Sequence, residues 1–158
     1  MGNSMDTRIR QEIVDYMEQT LWAELATVRE DGTPVIRTMG AFSIDNGGAR
    51  ICFATMPGAP KTRHIASNSR VSFFFQHEGQ DFMTFRNVEA LGDAGKITAE
   101  EEIRRAAEMI CARSPFVKEM IEKNGLGAFE FYEIRVSEIK HLDFGKGVGP
   151  QAIEVITL

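Results

Sequence analysis

The stretch ATMPGAPKTRHIASNSRVSFFF, residues 54–75, decides the reading of this chain. It reads as the end of a strand, a Gly/Pro loop, a short helix and then a very apolar strand. The helix opens with Pro60, Lys61, Thr62 and Arg63. A helix start carries a partial positive charge and unpaired N–H groups, so it favours acidic residues or a bound anion. Two cations there are locally unfavourable unless something negative joins them. From residue 46 to residue 77 there is no Asp or Glu. That segment holds Arg50, Lys61, Arg63 and Arg70, in a chain of net charge −5. Such an island suits a small anionic ligand, or else it solvates an exposed face. The acidic balance argues against nucleic acid as a partner.

The 158 residues suggest one domain, 1–158, with 43% hydrophobic residues to build its core. No apolar run reaches the roughly 18–20 residues that span a bilayer, so no membrane partner is expected. The opening MGNSMDTRIR has no apolar signal core, and Asp6 breaks the myristoylation pattern. A cytoplasmic location is expected. Cys52 and Cys111 lie apart in apolar surroundings and read as reduced core residues rather than as a disulfide or ligand set.

Outward from the opening stretch, residues 6–20 have helical periodicity through Ile9, Ile13 and Met17, with Asp6 as N-cap. Strands are expected at 22–28, 34–44, 50–55 and 71–76. A long fifth strand at 81–97 has Gly92 and Gly95 to let it bend. Turns at 30–32 and 45–48 make hairpins. Thr98 and Glu101 fit a capping box for a helix to about Arg113, with Ile103, Ala106, Ala107 and Ile110 on one face. Ser114 and Pro115 restart a second helix, which Gly125 and Gly127 end. A final strand is expected at 128–142 and a Gly-rich loop at 145–150.

The fold class expected is mainly β: a small antiparallel, Greek-key-like barrel with peripheral helices. Its core covers about 22–97 and 128–144, and its helices about 6–20, 61–68 and 98–124. Phe73, Phe74 and Phe75 are consecutive, so both faces of that strand are apolar. One face fills the barrel, where a buried Phe contributes about 2–3 kcal/mol. The other needs cover from a second protomer or from a helix.

Four stretches in this order resemble one family. LATVREDGTPVIRTMGAF (25–42) looks like its opening hairpin, and ICFAT (51–55) like its next strand. KTRHIASNSRVSFFF (61–75) is similar to its helix and following strand. FRNVEALGDAGKI (85–97) is similar to its long strand, especially in nitroimidazole-resistance-type members. The family is the FMN-binding split barrel of pyridoxamine 5′-phosphate oxidase and its small relatives.

The resemblance implies FMN as cofactor and a homodimer with flavins in clefts between protomers. It implies the phosphate at the start of the helix, with Lys61 as the main cation, Thr55 and Thr62 as hydroxyl donors and Arg37 as a second cation. Thr38, Met39 and Gly40 are expected along the flavin ring. Gln80, Arg86 and Asn87 are expected to close the cleft across the interface. Read on its own, Arg37 could instead pair with Glu24 or Glu89, and Lys61 and Thr55 could be ordinary surface and strand residues. His64 reads as a surface or packing residue, and neither His77 nor His141 as a metal or haem ligand. No residue is assigned as a catalytic acid or base.

The implied activity is an FMN-dependent oxidoreductase working with a small-molecule electron donor or acceptor. Vitamin B6 oxidation is not expected. True oxidases of the family end in an Arg- and Trp-containing segment, whereas this chain ends GPQAIEVITL and its only tryptophan is Trp22. The alternatives are a non-catalytic flavin-binding or electron-transfer protein, a nitroreductase-like member, and a haem- or deazaflavin-binding one.

Overall fold

Strand and turn chemistry are clearest in the first half of the chain. The computed structural model describes residues 8–158. Strand β1 (Ala23–Val28) pairs antiparallel with β2 (Pro34–Met39), and Gly32 takes the turn at φ 84°. Strand β3 (Phe42–Asp45) pairs with β4 (Arg50–Thr55) around Gly47 at φ 63°. Strands β5 (Arg70–Gln76), β6 (Arg86–Lys96) and β7 (Glu130–Asp143) form a meander, and β8 (Ile153–Thr157) adds to β7.

The sheet order is β2-β1-β5-β6-β7-β4-β3, with β8 beside β7. Its two end strands, β2 and β3, are consecutive in the chain. The sheet therefore rolls into an open antiparallel barrel of Greek-key-like order, as expected, with its seam at Gly40 and Ala41.

Helix α1 (Gln11–Glu18) buries Ile13, Val14, Tyr16 and Met17 in the barrel core. Phe73 and Phe75 point into that core and meet the Phe42 ring at centroid distances of 5.3 and 5.9 Å. Helix α2 (Pro60–Ser67) contributes Ile65 to the same core. Helices α3 (Glu100–Arg113) and α4 (Pro115–Asn124) cover the far side and form a second cluster with Cys52, Ala54 and Phe131. Ser114 caps α4 by accepting from the Val117 N–H. No helix among the described residues is long and apolar enough to cross a membrane.

Several expectations need correction. The single strand at 34–44 is two strands, broken at Gly40 and Ala41, and these lie at opposite ends of the sheet order. The strand expected from Asp81 begins at Arg86, because residues Phe82–Thr84 form a 3₁₀ turn. Of the two glycines meant to bend it, only Gly92 is constrained. A Cβ there would lie 2.1 Å from the Arg135 carbonyl oxygen, beside the register shift at Leu91/Gly92, whereas Gly95 has open space. The Thr98 capping box does not form: Ala99 precedes α3, and Glu100, Glu101 and Glu102 complement the helix start by charge. The residue before α1 is Arg10, so the helix starts later than expected, and Asp6 lies outside the described residues. The tail holds β8, which was not foreseen.

Candidate functional site

The sheet's two-residue period decides which way Arg37 points. It sits opposite Leu25, a core residue, whereas Glu24 sits opposite Thr38 and Phe74, and Phe74 opposite Glu89. Arg37 is thus on the inner face, and Glu24 and Glu89 are on the outer one. The alternative pairing of Arg37 with either carboxylate is not formed. Its guanidinium donates instead to the Leu25 carbonyl at 3.2 Å and to Thr27 Oγ1 at 2.7 Å. Its Nη2 lies 3.4 Å from His64 Nδ1.

Lys61 reaches the same corner from the first turn of α2. Its Nζ donates to the buried Thr55 Oγ1 at 2.8 Å. Burial lowers its pKa, and the Arg37 charge lowers it further. Burial also lowers the pKa of Arg37. Among the described residues neither cation forms an ion pair. Two half-buried cations that repel one another and lack a counter-charge are costly unless an anion joins them. The Thr62 hydroxyl donates to the Ala59 carbonyl at 2.7 Å, so its proton is already committed. No side chain caps α2, whose N1 residue is Pro60.

Thr38, Met39 and Gly40 continue β2 away from this corner. Thr38 is exposed, and Met39 is buried in the core. Among the described residues strand β2 has β1 as its only neighbour in the sheet, so its other edge presents backbone groups that they leave unpaired. Gly40 packs under Trp22: a Cβ at Gly40 would sit 2.5 Å from the indole Cζ3. Trp22 is 64% exposed. It walls an apolar groove of about 440 Å³ with Leu21, Gly40, Ala41, Pro115 and Phe116. The sequence reading assigned no role to Trp22; its one signal was that it is the sole tryptophan, at the mouth of β1.

Gln80, Arg86 and Asn87 make no hydrogen bond to the Lys61 corner within the chain. The Gln80 amide donates to Tyr16 Oη, the His77 carbonyl and the Arg86 carbonyl, and its oxygen accepts from the Arg86 N–H. Arg86 lies over the Tyr16 ring at 5.1 Å. Asn87 has a long 3.5 Å contact to Gln76. His77 stacks on Tyr16 at 3.7 Å, and its Nε2 meets the Tyr16 carbonyl at 2.9 Å. His141 is 1% exposed, with Nε2 facing Arg86 at 3.5 Å. Among the described residues no group of three or more His, Cys, Asp or Glu is placed to hold a metal ion. Burial pushes the Cys52 thiol up to about 11, which makes it an inert core residue.

The sequence model of the family described as pyridoxamine 5′-phosphate oxidase matches residues 9–143. Among solved structures, a conserved hypothetical protein from Mycobacterium tuberculosis matches with a TM-score of 0.73 at 22% identity, covering 95% of this chain and 93% of that one. A NimC/NimA family protein from Clostridium acetobutylicum matches at 0.68 and 16% identity, covering 99% and 96%. A haem-binding protein from Mycobacterium smegmatis matches at 0.71 and 18% identity, covering 99% of this chain but 58% of that one. At these identities the structural likeness shows the fold. None of the curated proteins matches the chain.

Proposed function

The chain belongs to the pyridoxamine 5′-phosphate oxidase family of split barrels, and on that premise we propose that it is an FMN-dependent oxidoreductase. The observation that carries this reading is the unbalanced pair of Lys61, in the first turn of α2, and Arg37, on β2. A phosphate dianion there would accept charge-assisted bonds from both cations. The dianion would also offset the burial and the Arg37 repulsion that together lower the Lys61 pKa.

The rest of the site fits a flat heteroaromatic ring. The outer edge of β2 from Arg37 to Met39 offers backbone donors and acceptors to its polar rim. Trp22 and the apolar groove beside Gly40 offer the dry face. When bound, flavin supplies the hydride and electron chemistry. The chain's residues hold the phosphate, orient the ring and exclude water, and none is needed as an acid or base. The electron donor or acceptor is a small molecule, and the groove walled by Trp22 and Phe116 favours a planar, apolar one.

A homodimer belongs to this reading. Outward on β2, β1 and β6 lie Ile36, Ala26 and Leu91 in one row with Ser72, and in the next row Phe74 lies between Glu24 and Glu89; Ile36 is 62% exposed. That mixed face, with the exposed Ile36 and the half-buried Phe74, suits a second copy of the chain, which would also bring Asn87 toward the cleft. Gln80 and Arg86 serve first to pin their own loop.

Haem is less well supported. Two of the three histidines have their ring nitrogens engaged or buried, and His64 Nδ1 faces Thr27 and Arg37. The absorption spectrum of the protein, reconstituted with FMN or haem and then desalted, separates the two. Retained flavin bands support the proposal, and a Soret band with no flavin retention overturns it. Reduction of the bound flavin by NADH or NADPH separates an enzyme from a passive carrier.

A further inference from the structure

Thr27 and His64 carry no role in the reading above, yet they meet at the cation pair. Thr27 Oγ1 is buried and has one proton to give. It accepts from Arg37 Nη1 at 2.7 Å, so that proton points to its other neighbour, His64 Nδ1, at 2.8 Å. With the donor-only Arg37 Nη2 facing the same nitrogen, this contact assigns the lone pair to Nδ1 and the ring proton to Nε2. The same lone-pair side faces Arg37 Nη2 at 3.4 Å.

Burial and the neighbouring Arg37, Arg63 and Arg29 charges lower the His64 pKa, which keeps the ring neutral and Nδ1 open as an acceptor. Arg37 has five N–H donors. Leu25 O and Thr27 Oγ1 take both protons of Nη1, and one Nη2 proton makes a long 3.4 Å contact with the Nδ1 lone pair that Thr27 already uses. The remaining Nη2 proton and the Nε proton are left for a ligand.

We infer that Thr27 and His64 form a positioning relay that fixes the Arg37 guanidinium for a phosphate monoester, an assignment that rests on the flavin-phosphate reading. The relay gives the corner its selectivity. A guanidinium already held on one side loses little freedom when it binds a dianion. A ligand that lacks the phosphate gains nothing from it.

Two measurements on the full chain test this. Long-range ¹H–¹⁵N spectra of the free protein near pH 7.5, with His64 assigned by comparison with His64→Asn, should show Nδ1 bare and Nε2 protonated. A proton on Nδ1 overturns the relay, whatever the flavin does. The second is titration with FMN and with riboflavin. Thr27→Val and His64→Ala should each bind FMN about tenfold more weakly and riboflavin as the wild type does. His64→Asn, whose side-chain oxygen can accept in place of Nδ1, should restore FMN affinity. Unchanged FMN affinity in both disrupting variants overturns the relay. Equal losses for FMN and riboflavin overturn it too, since they mark a general distortion. A wild type that retains no FMN defeats the functional reading, a result distinct from a wrong tautomer.

Discussion

Lys61 Nζ donates to Thr55 Oγ1 at 2.8 Å, so a half-buried ammonium has a neutral oxygen where a carboxylate would serve it better. Burial and Arg37 both disfavour its charge. Lys61→Met should therefore stabilise the ligand-free protein by roughly 0.5–1 kcal/mol. It should also weaken FMN binding about 10- to 100-fold. Thermal denaturation with and without FMN measures both effects. A variant that loses stability while keeping full FMN affinity would refute the assignment.

Gly92 is the tightest point of the barrel wall. Alanine there would drive a methyl group to 2.1 Å from the Arg135 carbonyl oxygen, which cannot move without disturbing β7. Gly92→Ala should cost about 1–3 kcal/mol in urea unfolding. Gly95→Ala, with open space around its Cβ, should stay within about 0.5 kcal/mol of wild type.

His141 predicts acid sensitivity. Its ring is 1% exposed, and burial and then Arg86 lower its pKa. Its Nδ1 has no hydrogen-bond partner and lies 3.9 Å from Glu154 Oε1 on β8. The unfolded chain takes up a proton near pH 6.5, while the folded chain resists it. Stability should therefore be level above that value and fall as pH drops below it, by up to about 1.4 kcal/mol per pH unit for this group. His141→Gln should flatten the profile between pH 7 and pH 5 in equilibrium unfolding. An unchanged slope would assign the acid sensitivity to other groups, His64 among them.

The outward face containing Ile36 and Phe74 predicts self-association. Sedimentation should give a dimer for the wild type. Ile36→Glu should give a folded monomer that has lost most of its FMN affinity. A wild-type monomer with full affinity would separate the flavin site from any interface.

Much of the barrel was legible because its signals are local. Strand β4 was read with its bounds, and Ser114 and Pro115 marked the start of α4. The break between β2 and β3 was not legible, since it arises from a change of partner: β2 pairs with β1 and β3 with β4. Strand β8 was missed because its pattern is mixed, with Ile156 packed on the core but Glu154 in the other inward position. Ile153 and Val155 face outward and Glu154 faces His141, so the alternation that marks a half-buried strand is lost. At the site, Lys61 stood out as a cation at a helix start in a segment free of acid, and Arg37 entered through the family resemblance, but nothing in the sequence joined His64 to Thr27. That contact depends on how α2 lies against β1.

The central claim is that Lys61 and Arg37 receive a phosphate. The most direct measurement is a paired titration of the flavin-free protein with FMN and with riboflavin, which differ by that group alone. Two charge-assisted partners should make FMN bind tighter by about 100-fold or more, and raised ionic strength should narrow the gap. Equal affinity for the two flavins would contradict the claim.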